Sequence, residues 1–225
     1  MKTIAIVGGS SGIGAALVDL LKNTNNLVAL CRSAVTDHPN VTHHYVDILR
    51  DQLPELDELN GLVYCPGSIN LKPLGRLTTA DFRDEFEINV IGAVTCIQHY
   101  SDALKKGNGS VVLFSTVATR LGMPFHASVA ASKSAVEGLT KSLAAEYAPH
   151  VRFNAIAPTV TDTPLASKLL RNDRLKENMR ERHPLKKYLE PIEVAQMASY
   201  LLSDQASAIS GQVLTLDAGI TSVRS

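Results

Sequence analysis

The chain of 225 residues is 45% hydrophobic and 20% charged, a composition typical of one ordinary globular domain. Its 22 basic and 22 acidic side chains cancel, so no overall electric field attracts nucleic acid or an anionic membrane, and we expect neither partner. The three cysteines lie far apart without a CxxC pair, which argues against a disulfide framework and against a thiolate metal site.

The first stretch, "MKTIAIVGGSSGIGAALVDLL", combines an early lysine with an apolar run, as a signal peptide does. Glycine and serine residues at positions 8–12 interrupt that run early, so we do not expect secretion. No run of about 18 apolar residues occurs, and a membrane span is therefore not expected either. The cytoplasm, where free thiols persist, is the predicted location.

Seven apolar runs of β type alternate with helical patterns along the chain. In order they are "TIAIVG", "LVALCR", "HHYVDI", "GLVYCPG", "GSVVLFST", "VRFNAIAP" and "GQVLTLDAG". This alternation predicts an α/β fold, a doubly wound domain of Rossmann type whose seven-stranded parallel sheet is flanked by helices. No repeat or linker divides the chain, so residues 1–225 are predicted to form a single domain, with ligands beyond the carboxyl ends of the strands.

Three segments between the runs have helical patterns. After the first run, apolar residues recur at spacings of three and four and predict one apolar helical face, made of Ile13, Leu17, Leu20 and Leu21. Residues 78–105 and 130–147 also predict helices.

A glycine-rich loop follows the first run and opens the first helix. Gly8, Gly12 and Gly14 let the backbone turn tightly and approach a pyrophosphate, while the N–H groups of the helix start point at the anion. The order of strand, loop and helix favours a dinucleotide over a plain turn without ligand. The remaining loop positions predicted to contact the cofactor are Ser10, Ser11 and Ile13.

The second run ends at Cys31 and Arg32, where a carboxylate would usually bind a free ribose hydroxyl. A guanidinium instead forms a charge-assisted pair with a 2′-phosphate, so NADP is favoured over NAD. The alternative is that Arg32 is a solvated loop residue. Asp47 and Ile48 close the third run, where an adenine would be held.

At this point the chain resembles the short-chain dehydrogenase/reductase family, and the resemblance extends from Thr3 to about Gly219. The stretch "YCPGS" stands where the family has an Asn-Ala-Gly turn, with Cys65 for Asn and Gly67 retained. The stretch "FEINVIGA" keeps the family's helix Asn at Asn89, which the resemblance implies holds a water beside the active-site lysine.

The resemblance continues through "VRFNAIAPTVTDTPL" and "ISGQVLTLDAG". Pro158 and Thr163 match the family pattern, while Thr159 replaces the usual Gly. Val7 stands where Thr is usual, and Ser11 stands where many NADP-using members have a second basic residue, which weakens the NADP prediction. The cofactor contacts that the resemblance implies in the second half of the site are Cys65, Gly67, Lys133, Pro158, Val160 and Thr163.

The catalytic pattern of the family is incomplete in this chain. The family places Tyr four residues before its Lys, but Lys133 is preceded at that spacing by Val129. The catalytic Ser, thirteen residues before that Tyr, corresponds to Thr116. Asn89 and Lys133 are retained, and the resemblance implies that Lys133 contacts the cofactor ribose.

The missing phenol removes the usual proton donor for an alkoxide that forms during hydride transfer. Loss of a positioned acid typically lowers the rate by about 10²–10⁴, so slow turnover remains possible. His126, seven residues before Lys133, is a candidate substitute, because the divergent enoyl-reductase branch of the family spaces its Tyr and Lys by that interval. The alternative is a loop histidine that meets solvent. Ser128 and Ser132 are weaker candidates, more typical of helix capping or packing.

The segment of about residues 165–190 is the one that covers the substrate in the family. Its positive charge could attract an anionic substrate, but the pattern favours an exposed amphipathic helix with solvated charges. The basic residues concerned are Lys168, Arg171, Arg174, Lys176, Arg180, Arg182, Lys186 and Lys187.

These observations favour an NADP(H)-dependent oxidoreductase that acts on a carbonyl or conjugated carbonyl compound. The alternative is a non-catalytic NADP-binding sensor or scaffold subunit, and a third interpretation is a structural subunit of a heteromeric complex. Under all three, the resemblance implies a homodimer or homotetramer assembled through the helices that contain Asn89 and Lys133.

Overall fold

The computed structural model describes residues 1–224 as one α/β domain around a seven-stranded sheet. All neighbouring strands are parallel and follow the order β3-β2-β1-β4-β5-β6-β7, which confirms the predicted Rossmann-type fold. The strands are β1 (Thr3–Val7), β2 (Asn26–Cys31), β3 (Val41–Tyr45), β4 (Gly61–Tyr64), β5 (Ser110–Phe114), β6 (Arg152–Pro158) and β7 (Val213–Leu216).

The strand order reverses direction between β1 and β4. From β1 the chain builds outward to β2 and β3, and then returns to the other side of β1 to add β4 through β7. A crevice opens at such a switch point, beyond the carboxyl ends of the two strands. Val7 pairs with Tyr64 at those ends, so the loops that follow Val7 and Tyr64 face each other across the crevice.

Helices cover both faces of the sheet because the central strands are apolar on both sides. One core packs helices α3, α4 and α5 against the sheet, and the other packs α1 and α7 against the opposite face. The helices are α1 (Gly12–Leu21), α2 (Thr79–Phe86), α3 (Gly92–His99), α4 (Ser101–Lys106), α5 (Ala127–Tyr147), α6 (Asp173–Glu181) and α7 (Pro191–Leu202).

The apolar face predicted for α1 was wrong at Leu20, which is 37% exposed. The buried arc of the helix is formed by Gly14, Leu17, Val18 and Leu21. Because successive residues are 100° apart around the helix axis, the centre of this buried arc lies about a third of a turn from Leu20. Leu17 and Leu21 are buried as predicted, and Ile13 packs partly buried against the same core.

The predicted helix over residues 78–105 is interrupted twice. A π-helical turn, Glu87–Ile91, separates α2 from α3, and Tyr100 leaves helical geometry between α3 and α4. Tyr64 donates its hydroxyl to the backbone oxygen of Ile88, 2.7 Å away, within the π turn. Such single π turns occur frequently at functional sites.

Two other boundaries differ from the sequence prediction. Helix α5 begins at Ala127, three residues before the predicted start, because His126 occupies the N-cap position. Strand β3 ends at Tyr45, so Asp47 and Ile48 lie in the turn beyond it. Within residues 1–224, no helix is both long enough and apolar enough to cross a membrane.

Candidate active site

A cavity of about 340 Å³ lies at the carboxyl ends of the central strands. Three of the four predicted catalytic residues, Thr116, His126 and Lys133, lie in its wall together with Val129. These residues come from the loop after β5 and from the start of α5, which the fold brings to one edge of the sheet. The fourth, Asn89, is buried behind the wall on the π turn.

The glycine-rich loop has a backbone that only glycine adopts readily. Gly8 has φ of +78° and Gly12 has φ of +53°, and a Cβ at Gly14 would overlap the carbonyl oxygen of Gly8. The N-cap residue Ser11 makes no side-chain capping bond, and the first turn of α1 contains no acidic side chain. The N–H groups of that turn are therefore open to an anion, which fits a pyrophosphate.

The glycine-rich loop also contacts the segment after β6. A Cβ at Gly12 would lie 3.1 Å from the methyl carbon of Thr163, so the two segments approach closely. Ile13, Pro158 and Val160 line the cavity beside Thr163. The structure thus brings together the two ends of the predicted cofactor site, which are about 150 residues apart in the chain.

The end of β2 presents one free cation. Arg32 is exposed and, within residues 1–224, forms no ion pair. Cys31 is buried, and burial raises the pKa of its thiol, so this neighbour places no negative charge beside Arg32. A phosphate monoester could bind this guanidinium without repulsion. Ser10 contacts the Cys31 thiol from the glycine-rich loop.

The turn after β3 contains the two residues that the sequence predicts to contact an adenine. Asp47 accepts a hydrogen bond from the backbone N–H of Leu49 at 3.1 Å, which leaves its second carboxylate oxygen for a ligand. Ile48 is 8% exposed and packs into the core on the sheet side.

Lys133 is a buried cation held at the strand ends. Its Nζ atom donates to the backbone oxygen of Phe114 at 2.9 Å, and burial lowers the pKa of the ammonium to about 8 despite the opposing effects of Glu85 and Cys65. A Cβ at Gly67 would lie 3.5 Å from Lys133 Nζ and 3.0 Å from Asn89 Oδ1. Both polar atoms therefore face the same small space, which a glycine at position 67 leaves open.

Asn89 has one satisfied and one unsatisfied polar atom. Its Nδ2 donates to the hydroxyl of Ser132 at 3.1 Å, and that hydroxyl in turn donates to the backbone oxygen of Val129. The buried Oδ1 has no hydrogen-bond partner. Because buried carbonyl oxygens nearly always accept a bond, the space in front of Oδ1 fits a water or a ribose hydroxyl.

A second buried ionisable group, which the sequence did not indicate, lies near Lys133. Glu85 on α2 is 2% exposed, and neither carboxylate oxygen has a hydrogen-bond partner. Burial raises its pKa, although Ser128, the Asn70 backbone and Lys133 oppose that rise. Ser128 and Ser68 also have buried, unpartnered hydroxyls. A glutamate in a predicted amphipathic helix is normally solvated, so the sequence gave no indication that Glu85 is buried.

Thr116 and Val129 both lie in the wall of the cavity. The Thr116 oxygen accepts from the backbone N–H of Ala118 at 3.3 Å, so its own proton is available to a ligand oxygen. The neighbouring Ser115 donates to Glu137 at 2.6 Å and is not available in this way. Val129 is 3% exposed and places only methyl groups on the wall.

His126 lies at the mouth of the cavity, at the N-cap of α5. Its Nδ1 is 2.8 Å from the backbone oxygen of Pro124, and a carbonyl only accepts, so Nδ1 carries the proton of the neutral ring. Nε2 is then free to accept a proton. The side chain is half-buried, so it is in contact with both the cavity and solvent.

Residues of the basic segment close one side of the cavity with apolar side chains, including Leu165, Ala166, Leu169 and Met179. Most of its charges lie outside. Helix α6 buries no residue. Four cations of the segment, two on α6 and two after it, pair with carboxylates: Lys176 with Asp162, Arg180 with Glu177, Lys186 with Glu181 and Lys187 with Glu193. This pairing favours the interpretation as a solvated helix, with Arg182, which lines the cavity, as the exception.

A sequence model of the family described as enoyl-(acyl carrier protein) reductase matches residues 19–221. The chain is 32% identical to the 2,5-dichloro-2,5-cyclohexadiene-1,4-diol dehydrogenase of Sphingobium indicum over 99% of its own length and 98% of the relative's. The chain belongs to the short-chain dehydrogenase/reductase family. It is also 31% identical to the 3-oxoacyl-(acyl-carrier-protein) reductase of Thermotoga maritima, with 97% of each chain covered.

Solved structures of short-chain dehydrogenases/reductases share the fold over the whole chain. A family member from Francisella tularensis superposes with a TM-score of 0.90 at 22% identity, covering 99% of this chain and 100% of that one. ElxO with NADP bound and 4-hydroxyisoleucine dehydrogenase complexed with NADH superpose with TM-scores of 0.86 and 0.88, each at 24% identity, covering 99% and 100% of this chain and all of theirs. Both forms of the nicotinamide cofactor therefore occur on this fold.

The cavity combines a cation, a hydroxyl and an apolar wall. Lys133 supplies positive charge, Thr116 supplies a hydrogen-bond donor, and most of the remaining wall is apolar. Such an arrangement can orient a carbonyl group and strengthen the hydrogen bonds to it.

Proposed function

We propose that this chain is a cytoplasmic NADP(H)-dependent oxidoreductase that transfers hydride between nicotinamide and a carbonyl or conjugated carbonyl compound. The observation that carries the proposal is the shared space in front of Lys133 Nζ and Asn89 Oδ1, which opens beside the Thr116 hydroxyl. Family relatives named as dehydrogenases and reductases support the reaction class.

The residues present fit a nicotinamide dinucleotide. The first turn of α1 would hold the pyrophosphate, Asp47 and Ile48 the adenine, and Lys133 the nicotinamide ribose. The exposed, unpaired Arg32 supports a 2′-phosphate and therefore NADP rather than NAD. When bound, the nicotinamide supplies or accepts the hydride, and the protein supplies orientation and proton transfer.

The side chains of this site have separate tasks in the proposed reaction. Thr116 donates a hydrogen bond to the substrate oxygen, and Lys133 stabilises negative charge that develops there and on the ribose. Val129 cannot donate a proton. His126 is one candidate donor, because its Nε2 is not committed to the protein. If His126→Gln turns over as fast as the parent enzyme, His126 is not the acid.

The wall of the cavity indicates the kind of substrate. Aliphatic side chains dominate it, so we propose a small, mainly apolar carbonyl compound, such as an alicyclic ketone of the kind that the dichlorocyclohexadienediol dehydrogenase name implies. Arg182 at the wall favours a substrate that also has a negative charge. A panel of alicyclic ketones with and without a carboxylate distinguishes the two.

The test is cofactor titration followed by a substrate panel, on the parent chain and on two variants. Val129→Tyr restores a phenol, and Val129→Phe adds the same ring without the hydroxyl as a control. We expect reduction by the parent, and a higher rate for Val129→Tyr than for Val129→Phe, because only the phenol can donate a proton. Activity in Val129→Tyr alone, with none in the parent, would favour the alternative of a non-catalytic NADP-binding sensor or scaffold.

We also propose that the chain forms a homodimer or homotetramer. Helix α5 exposes small side chains at Ala127, Ala131 and Gly138, which allow a second helix to approach closely. A solution mass of two or four times the chain's 24.2 kDa is expected from light scattering. A mass equal to one chain contradicts this assembly.

A further inference from the structure

A second imidazole lies in the wall of the cavity, in a position that sequence reasoning did not identify. His183 follows α6 and is 1% exposed. Its Nδ1 is 2.7 Å from the backbone oxygen of Met179, and its Nε2 is 2.8 Å from the hydroxyl of Thr159 at the carboxyl end of β6. Both His183 and Thr159, which is 7% exposed, line the cavity.

The hydrogen bonds determine which nitrogen carries the proton of the neutral ring. The Met179 oxygen only accepts, so Nδ1 donates to it and Nε2 is left as the acceptor. Thr159 then donates its hydroxyl proton to Nε2. Within residues 1–224, no protein group donates to the Thr159 hydroxyl oxygen, so its lone pairs are available to a ligand in the cavity.

A buried carboxylate stands near the imidazole and can stabilise its charged form. Asp217, 8% exposed, follows β7 and is held by the backbone N–H groups of Gly219 and Thr221 at 2.9 and 3.0 Å. Desolvation opposes ionisation of Asp217, but the Thr221 hydroxyl, these two backbone bonds and, least of all, the charge of His183 together hold its pKa below the ordinary value. Arg182 beside His183 opposes the charged imidazole, as do Lys133 and His126 in the same cavity.

The surroundings of Thr159 and His183 argue against a purely structural role for these two side chains. The neighbouring wall is formed by apolar side chains such as Leu169, Met179 and Ile220. Burying a hydroxyl and an imidazole there carries a desolvation cost that an apolar pair of similar volume would avoid. Thr159 also stands where the family usually has glycine, so the hydroxyl is a departure that coincides with the loss of the phenol at Val129.

We propose that Thr159 and His183 form an acid/base relay that exchanges the proton of the substrate oxygen, in place of the missing phenol. The proposal rests on the oxidoreductase function proposed above. Thr159 is the group that touches the substrate, His183 stores the proton, and the Met179 oxygen and Asp217 position and stabilise the imidazole. A hydroxyl and an imidazole act in the same order in other acid/base sites.

In reduction, the proton passes from His183 through Thr159 to the substrate oxygen. The carbonyl carbon accepts the hydride, and the electron pair of the C=O π bond moves onto oxygen. Thr159 gives its hydroxyl proton to that oxygen, and the imidazolium of His183 returns the proton on Nε2 to Thr159. The product is an alcohol and His183 ends neutral, to be protonated again from solvent. Oxidation of the alcohol runs the same transfers backwards and requires neutral His183.

Three variants test the relay. His183→Gln keeps a polar group near Thr159 but cannot titrate, Thr159→Val removes the hydroxyl at constant volume, and Thr159→Ser retains it as the matched control. Hydride transfer is measured by stopped flow on protein preloaded with NADPH, between about pH 5 and 9, where imidazole groups titrate. We expect the rate to fall about 10²–10⁴ in the first two variants, with KM little changed, and to stay within about threefold in Thr159→Ser.

The pH profile separates the relay from a structural contact. In the parent, reduction should slow as pH rises, because the imidazolium is consumed, and alcohol oxidation should accelerate. Both of these changes of rate with pH should disappear in His183→Gln. Nitrogen-15 NMR of the histidine rings gives a readout without turnover. We expect a protonated Nδ1 and an accepting Nε2 for neutral His183, and a changed Nε2 shift in Thr159→Val.

The outcomes distinguish the relay from the function on which it rests. If the parent is active and His183→Gln keeps its rate and pH profile, or if His126→Gln alone loses them, the relay is overturned and the oxidoreductase function stands. If NMR places the proton of the neutral ring on Nε2, the relay is overturned too. If the parent itself fails with every cofactor and substrate, the proposed function fails and the relay with it.

Discussion

At the scale of single residues, the site is built from buried charges that the fold tolerates at a cost. Lys133 forms one hydrogen bond to the protein, to the Phe114 backbone, and its ammonium is otherwise directed at an open space. A cation removed from water and only partly compensated weakens the folded state. A bound cofactor with hydroxyl oxygens would provide the missing compensation, in agreement with the proposed contact of Lys133 with the ribose.

This cost predicts a pH dependence of stability. Burial lowers the pKa of Lys133 from 10.5 to about 8, so between these values the unfolded chain binds one proton more than the folded chain. The free energy of unfolding therefore rises as pH increases through this window, and the benefit is lost as pH falls through about 8. Lys133→Met should raise the free energy of unfolding at pH 7 by about 2 kcal/mol and remove the rise.

Chemical denaturation of the cofactor-free protein from pH 7 to 10.5 measures this effect. The matched control is Lys141→Met, since Lys141 is exposed on the same helix and should leave the profile unchanged. NADPH affinity should fall in Lys133→Met and not in the control. A Lys133→Met protein that is less stable than the parent at pH 7 would contradict the argument.

At the scale of elements, the loop after β4 determines how close the π turn and α5 approach the cofactor space. Gly67 is the point of closest approach, because a Cβ there would lie 3.0 Å from Asn89 Oδ1 and 3.5 Å from Lys133 Nζ. The π turn contributes by placing Asn89 on the inner side, while α5 contributes Lys133. Three elements that are separate in the chain thus share one small volume.

Gly67→Ala should affect binding more than folding. The added methyl requires Asn89 to shift by a few tenths of an ångström and occupies the space in front of Lys133, so NADPH affinity is expected to fall about tenfold. The free energy of unfolding should change by less than about 1 kcal/mol. Isothermal titration and denaturant melts measure the two quantities. Gly75→Ala is the control, because nothing lies within 4 Å of a Cβ there, and equal affinities of the two variants would refute the assignment.

At the scale of the whole molecule, the proposed cofactor site spans both halves of the sheet. It joins the loop after β1, the end of β2 and the segment after β6, so a dinucleotide would bridge elements far apart in the strand order. A ligand that binds the folded state alone adds to its free energy of unfolding, by about 2.7 kcal/mol at one hundred times its Kd. Binding should therefore be visible as thermal stabilisation of the entire domain.

Arg32 predicts which cofactor gives the larger stabilisation. In thermal melts of the parent, NADPH should raise Tm more than NADH at equal concentration, because only NADPH presents a phosphate to the guanidinium. Arg32→Asp should reverse the order, since a carboxylate repels the phosphate and binds ribose hydroxyls. Arg83→Asp, the same charge change on exposed α2, serves as the control. An unchanged order in Arg32→Asp would contradict the NADP assignment.

The sequence by itself determined the strands, the parallel sheet and the position of the glycine-rich loop, because hydrophobic period and glycine placement are local properties. It also located Asn89, Thr116, His126 and Lys133 through their spacing in family motifs. It could not show that Leu20 faces solvent, since a helix face is selected by the elements that pack against it. Only the tertiary structure decided that Glu85 is buried and that His183, 24 residues from Thr159, bonds to its hydroxyl. Those contacts join separate elements, and no pattern within one segment encodes the distance between two of them.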